Sequence, residues 1–144
     1  MKIYIASDHA AFVQKAALIR ELKKDHSLID LGTDSESSVH YPNFAEAVSR
    51  KVLEDKDSVG ILLCGSGIGM SIAANRFKGI RAALCRSSED AKLSREHNNS
   101  NVLCLGGRTS SNEEIVAITK TWLSTPFEGG RHQLRIDLMD QFKV

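Results

Sequence analysis

Val59-Gly-Ile-Leu-Leu-Cys64-Gly-Ser-Gly-Ile-Gly-Met-Ser-Ile-Ala-Ala-Asn-Arg76 decides how the chain is read. It opens as a continuous apolar run, Gly60 to Leu63, short enough for a buried strand. Cys64 follows, then glycines at alternating positions, Gly65, Gly67 and Gly69. Ser71 to Phe77 is helix-compatible and free of proline. The pattern is strand, tight glycine turn and helix start. Glycines let a backbone approach a ligand closely, and a helix start offers unpaired N–H groups to an anion. A thiol stands at the lip of that cradle. Three familiar loops do not fit. A Walker loop needs Gly-Lys-Ser/Thr, a dinucleotide fingerprint needs Gly where Met70 stands, and a Cys-x5-Arg phosphatase needs Arg there. The plainer alternative is a tight turn with a buried cysteine at the end of a core strand.

Working outward, apolar and polar segments alternate. Lys2–Ala6 reads as a first strand ending at Ser7-Asp8-His9, and residues 12–24 as an amphipathic helix. Residues 28–32 are a brief strand, 33–40 a serine-rich surface loop, and Pro42 opens a helix to about Leu53. Residues 81–85 are a fourth strand, and Ser87 or Ser88 caps the next helix, which ends at Asn98-Asn99. Residues 102–106 are a fifth strand. Asn112 is expected to cap a helix through Trp122, and a last helix spans 131–142, with Leu134, Leu138 and Met139 along one face. This alternation predicts a three-layer α/β/α domain over residues 1–144, with a five-stranded parallel, flavodoxin- or Rossmann-like sheet.

In such sheets ligands bind beyond the carboxyl ends of the strands. Asp8 and His9 follow the first strand, Cys64 and Ser66 the third, and Arg108 the fifth. His97 falls instead at the end of the fourth helix, normally the opposite edge. Either it caps its own helix or it serves a neighbouring subunit's site. Arg131 and Arg135 share a helix face, where like charges repel unless an anion lies between them.

Composition narrows the classes. The chain has 144 residues and a net charge of +1, with no basic excess to suggest nucleic acid. No apolar run approaches about 18 residues, so no membrane span is expected, and the N-terminus lacks the apolar core of a signal peptide. Three widely spaced cysteines, Cys64, Cys85 and Cys104, argue against a disulfide framework or a zinc site and fit a cytoplasmic protein. Cys85 and Cys104 read as small buried hydrophobes.

Several segments together resemble the ribose-5-phosphate isomerase B family, which includes the galactose-6-phosphate isomerase subunits. They are Ser7-Asp8-His9-Ala10, Tyr41-Pro42, Cys64 to Asn75, Gly79 to Cys85, Leu93 to Asn98, Asn101-Val-Leu103, Gly106-Gly-Arg108, Gly129-Gly-Arg-His132 and Arg135. Ser66 stands where Thr is also common, Ala11 where Gly is usual, and Asn43 and Asn99 where Asp is frequent.

The resemblance implies a homodimer at minimum, with active sites at the subunit interface and the C-terminal helix packing on a partner. It implies no metal and no organic cofactor. By the same resemblance Cys64 is the catalytic base, His97 the ring-opening acid/base and Asp8 its assistant. Gly65, Ser66, Gly67, Ile68 and Gly69 form the anion hole over the sugar's C1 and C2 oxygens. Tyr41 and Asn98 contact substrate, and His9, Arg108, Arg131 and Arg135 clamp the phosphate. His97, Asn98 and Arg108 are expected to reach the partner's Cys64 loop. The reaction implied is interconversion of ribose 5-phosphate and ribulose 5-phosphate through a cis-enediolate. Alternatives are the same chemistry on a six-carbon sugar phosphate, such as allose or galactose 6-phosphate, and a non-catalytic flavodoxin-like binding module.

Overall fold

A computed structural model describes residues 1–143. Five parallel strands form one sheet: β1 (Lys2–Ser7), β2 (Ser27–Asp30), β3 (Ser58–Cys64), β4 (Ala82–Leu84) and β5 (Val102–Gly106). Six α-helices connect and cover them: α1 (Phe12–Leu22), α2 (Tyr41–Glu54), α3 (Ile68–Ala74), α4 (Ser88–Asn98), α5 (Asn112–Ser124) and α6 (Arg131–Asp140). The strand order is β2-β1-β3-β5-β4. The expected α/β/α architecture is present, with β5 rather than β4 beside β3. Burial fits this order. Val102–Gly106 is buried throughout and needs cover on both faces and both edges, whereas Ala82–Leu84 is only half-buried and short, which suits an edge.

Side-chain alternation along the strands divides the interior in two. Ile3, Ile5, Ile61, Leu63, Leu103 and Leu105 face α1, α4 and α5, where Leu18, Leu22, Ile115, Ile118 and Trp122 close the core. Tyr4, Ala6, Leu62, Cys64, Val102 and Cys104 face α2 and α3, against Val48, Val52, Met70 and Ala74. Cys64 therefore has its backbone in the sheet and its side chain on the α2/α3 face.

Local chemistry sets the helix ends. Ser87 is the residue that caps α4, its Oγ accepting from Asp90 N at 3.1 Å. For α5 the cap is Ser111, not Asn112. Its hydroxyl accepts from Glu114 N while the Glu114 carboxylate accepts from Ser111 N, so both donors are satisfied reciprocally. The first helix stops at Leu22, where Asp25 N turns back to Leu22 O. The helix expected over residues 71–77 runs instead from Ile68 to Ala74. It begins directly after Gly67, and Asn75 ends it by bonding Ala82 twice, through Ala82 N and Ala82 O.

The order of connections places a switch point between β1 and β3. The chain leaves β1 toward β2 on one side and returns to β3 on the other. The carboxyl ends of β1 and β3 lie side by side there, Ser7 paired with Leu63, so Asp8 and Cys64 emerge together. No helix among the described residues is long and apolar enough to cross a membrane.

Candidate active site

The β3–α3 loop is built around its sulfur. Gly67 takes φ +79°, and a Cβ there would lie 2.7 Å from Leu84 Cδ1 and 2.9 Å from the Leu105 carbonyl carbon, so both the turn and the close approach require glycine. That conformation aims Gly67 N at Cys64 Sγ, 3.2 Å away. Cys64 is 5% exposed and lines the cleft. The Ser66 hydroxyl accepts from Ile68 N at 3.2 Å, which leaves its own proton free to donate outward. Amides in the first turn of α3 have no intrahelical acceptor. At seven residues α3 is short, so the direct N–H to sulfur contact, more than a long helix dipole, addresses Cys64.

Neighbouring loops close around it. Arg108 N donates to Gly65 O at 2.9 Å and Gly107 N to Cys64 O at 2.8 Å, lacing the β5 loop to the glycine loop. Asp8 N donates to Leu63 O, and the Asp8 carboxylate accepts from Ala10 N at 3.0 Å, capping the 3-10 turn His9–Ala11. The Tyr41 ring covers Gly69, where a Cβ would meet ring carbons at 2.6 Å. The result is an open cleft of about 670 Å³, with Asp8, Cys64, Ser66 and Arg108 among its lining groups and Ile68 and Ile72 as an apolar wall.

Eight residues singled out in the sequence thus meet in one cleft: Asp8, Tyr41, Cys64, Gly65, Ser66, Ile68, Gly69 and Arg108, with Gly67 forming the turn itself. Arg108 corrects an expectation. Its place after the fifth strand puts it with Cys64, whereas the resemblance sends it with His97 and Asn98 to a partner's site; its backbone bond to Gly65 holds it beside the Cys64 of its own chain. His9 stands next to Asp8, its Nδ1 accepting from Val39 N at 3.1 Å, so Nε2 carries the ring proton.

The remaining candidates gather elsewhere. His97 and Asn98 end α4, and Arg131 and Arg135 are exposed on α6. There His97 stacks on His132, ring centroids 4.5 Å apart, and Glu128 approaches both imidazoles. His132 is buried, and burial first, then the charge of Arg131, holds its pKa below the ordinary histidine value. Leu134, Leu138 and Met139 are all exposed, so the apolar face expected on the last helix is not part of this chain's core; Ile136 and His132 are its inward residues.

Sequence reasoning gives no role to three residues. Glu128 and His132 sit in a Gly-rich break and a helix start, with no spacing to link them to His97. Lys15 falls on the buried face of α1, 1% exposed, where its ammonium donates to Asp30 Oδ1 and Thr33 O, each at 2.6 Å. A lysine at an inward position of an apolar helix was the available signal. It ties down the start of the segment that His9 then meets at Val39.

The cleft therefore combines a thiol with an N–H aimed at sulfur, a hydroxyl donor, a carboxylate and a guanidinium. Burial pushes the Cys85 thiol up to about 11 and that of Cys104 higher still, so neither competes as a thiolate. This equipment suits proton transfer on a small anionic, hydroxylated molecule.

The sequence profile described as Ribose/Galactose Isomerase matches residues 3–139. Ribose-5-phosphate isomerase B of Escherichia coli (strain K12) is 42% identical over 137 residues, covering 94% of this chain and 92% of that one. Among solved structures, a ribose 5-phosphate isomerase from Thermotoga maritima superposes with a TM-score of 0.95 at 51% identity, covering 98% of each chain. Ribose-5-phosphate isomerase B from Mycoplasma genitalium with bound ribulose-5-phosphate superposes with a TM-score of 0.94 at 43% identity, covering 97% of this chain and 94% of that one. A match over nearly the full length, on the same fold and with the glycine loop in place, means that this chain belongs to the ribose/galactose isomerase family.

Proposed function

We propose that the chain is an aldose–ketose isomerase that interconverts ribose 5-phosphate and ribulose 5-phosphate. The observation that carries this reading is Cys64, with Gly67 N at its sulfur, in a cleft shared with Asp8, Ser66 and Arg108. The relative from Mycoplasma genitalium with bound ribulose-5-phosphate supports the choice of a pentose.

The chemistry follows from the groups present. Asp8 and His97 move the anomeric-hydroxyl and ring-oxygen protons and open the furanose. The Cys64 thiolate takes the proton from C2 of the aldose, leaving a cis-enediolate. Ser66 and the open amides of the glycine loop donate to the oxygens that gain charge. The Cys64 thiol then returns the proton to C1, and the O2 proton passes to O1, giving the ketose with atoms and charge balanced. His9, Arg108, Arg131 and Arg135 hold the phosphate, the arginines by forked donation to two oxygens. Tyr41 walls the sugar and Asn98 bonds a hydroxyl.

These roles require two copies of the chain. His97 ends α4, which starts beyond the carboxyl edge of the sheet and runs back about 16 Å over its 11 residues. Cys64 lies at the carboxyl end of β3. Because α4 carries His97 back from the end of the sheet where Cys64 emerges, the proposal assigns His97, Asn98, Arg131 and Arg135 to a second copy. The exposed Leu134, Leu138, Met139 and Phe142 provide apolar surface for that homodimer. We place the enzyme in the cytoplasm, in keeping with three free thiols.

Turnover assayed with a chelator present tests the reading: ribose 5-phosphate should be converted well above allose 6-phosphate and galactose 6-phosphate. Faster conversion of a six-carbon substrate would move the assignment to that sugar, and no turnover of any would leave a binding module. A mixing experiment tests the shared site. Cys64→Ala and His97→Asn homodimers should each be nearly inactive, while mixed dimers carry one intact site and recover roughly a quarter of the activity in an equimolar random mixture. Mixed dimers that form and stay inactive would confine each site to a single chain.

A further inference from the structure

Among the described residues, His97, Glu128 and His132 are the one group of three potential metal ligands that converge, with their ligand atoms all within 4.8 Å of one another. We propose that these side chains form an inhibitory site for a borderline divalent transition-metal ion of the Zn²⁺ class.

Two imidazoles and one carboxylate are a donor set that zinc accepts, with a fourth position left for water. His97 Nε2 lies 4.0 Å from Glu128 Oε1, and His132 Nε2 lies 3.9 Å from Glu128 Oε2. Zinc bonds of about 2.0–2.2 Å place tetrahedral ligands roughly 3.3–3.6 Å apart, so the His–Glu sides need close by only about half an ångström. The stacked rings must also tilt for both nitrogens to face one ion. The movement is available on the open side: the His97 and Glu128 side chains are 39% and 47% exposed, and His132 is 6% exposed. The backbone around them is held, since Glu128 N donates to Glu96 O at 3.1 Å and His132 N to Gly129 O at 3.1 Å.

A second observation points to a ligand. His132 Nε2 is buried and has no hydrogen-bond partner among the described residues. Buried ring nitrogens are normally satisfied, and leaving one bare costs free energy. This one faces the Glu128 carboxylate at a separation too long for a hydrogen bond and suited to an ion held between them. Arg131 and Arg135 stand nearby and oppose a dication, which makes binding weaker and more readily reversible than at a structural zinc.

The consequence for turnover rests on the proposed role of His97. An ion on its Nε2 takes the lone pair that ring opening needs, so occupancy blocks the reaction without touching Cys64.

Chelator-treated protein titrated with Co²⁺, followed by visible absorption, and with Zn²⁺, followed by calorimetry, tests the site without any activity measurement. One ion per chain is expected, with a tetrahedral Co²⁺ spectrum lacking a thiolate charge-transfer band. Glu128→Gln, a near-isosteric change at a side chain 47% exposed, should weaken binding at least about tenfold, and Cys64→Ser should leave it unchanged. Unweakened binding in Glu128→Gln, or binding lost in Cys64→Ser, would overturn the site. Zn²⁺ should then inhibit the wild type at concentrations that match its binding, with Glu128→Gln needing at least about ten times more. Normal binding without inhibition would overturn the inhibitory role, and with it the use of His97 in ring opening, while Cys64 as base would stand.

Discussion

Cys64→Ala is expected to lose isomerase turnover by about 10²–10⁴-fold while still binding the sugar phosphate. The loss follows from the position of the sulfur, the one thiol that lines the cleft and the one with a backbone N–H directed at it. Retained binding follows from the proposed separation of tasks, in which Arg108, Arg131 and Arg135 hold the phosphate and Cys64 only moves a proton. Ring opening should persist as well, because Asp8 and His97 remain. The measurement is kcat beside an independent Kd for ribose 5-phosphate. A fall in affinity with little change in kcat would mean that Cys64 binds substrate rather than moving its proton. Alkylation gives a parallel check. Iodoacetamide should modify Cys64 first and Cys85 and Cys104 slowly, because burial keeps those two protonated.

Gly67→Ala is expected to have the second largest effect, on stability and rate together. An alanine at φ +79° is strained by about 1–2 kcal/mol. Its Cβ would also press on the Leu105 carbonyl carbon at 2.9 Å, which belongs to a central strand and cannot retreat. A total of about 2–4 kcal/mol is expected, read as a fall in Tm of roughly 6–15 °C. Any relief moves the turn and pulls Gly67 N off the sulfur, so the folded fraction should also be slower by about tenfold or more. Gly65→Ala is the internal control. Its Cβ would meet Arg108 Cδ at 3.5 Å, an ordinary contact with a flexible side chain, and its φ is not in the left-handed region. Similar Tm values for the two variants would mean that the turn does not depend on Gly67 in the way described.

These two glycines mark how far the residues alone could be read. Alternating apolar strands and 3.6-period helices made the layers legible, because burial on two faces leaves a direct imprint on Ile3, Ile5, Ile61, Leu63, Leu103 and Leu105. The rule that ligands lie beyond strand carboxyl ends placed Asp8 and Cys64 together, and β1 does pair with β3. The strand order, with β5 inside and β4 at the edge, was not legible, since it depends on comparing burial between Ala82–Leu84 and Val102–Gly106. Helix ends failed for two different reasons, one a bond to a residue beyond the helix and the other a Ser-x-x-Glu capping box that was present in the sequence but not used. Asn75 stops α3 by bonding Ala82 seven residues on, and Ser111 outcompetes Asn112 because Glu114 answers it. The strand-end rule places Arg108 with Asp8 and Cys64, and the lacing of its amide to Gly65 agrees, against the partner-site role that the resemblance implies. Glu128 goes unread and His132 enters only as part of the Gly129–His132 segment, because their relation to His97 exists only once α4 and α6 pack together.

The central claim is that one sulfur moves one proton between adjacent carbons. Solvent isotope exchange tests it most directly. Wild-type enzyme equilibrated with ribose 5-phosphate in D₂O should wash the C2 proton out of the substrate, because a thiol proton exchanges with solvent between abstraction and return. Proton NMR follows the disappearance of that resonance. Cys64→Ala, saturated with ribose 5-phosphate, should leave the C2 proton in place over the time in which the wild type removes it. Exchange in Cys64→Ala at the wild-type rate would contradict the account and put the base on another residue.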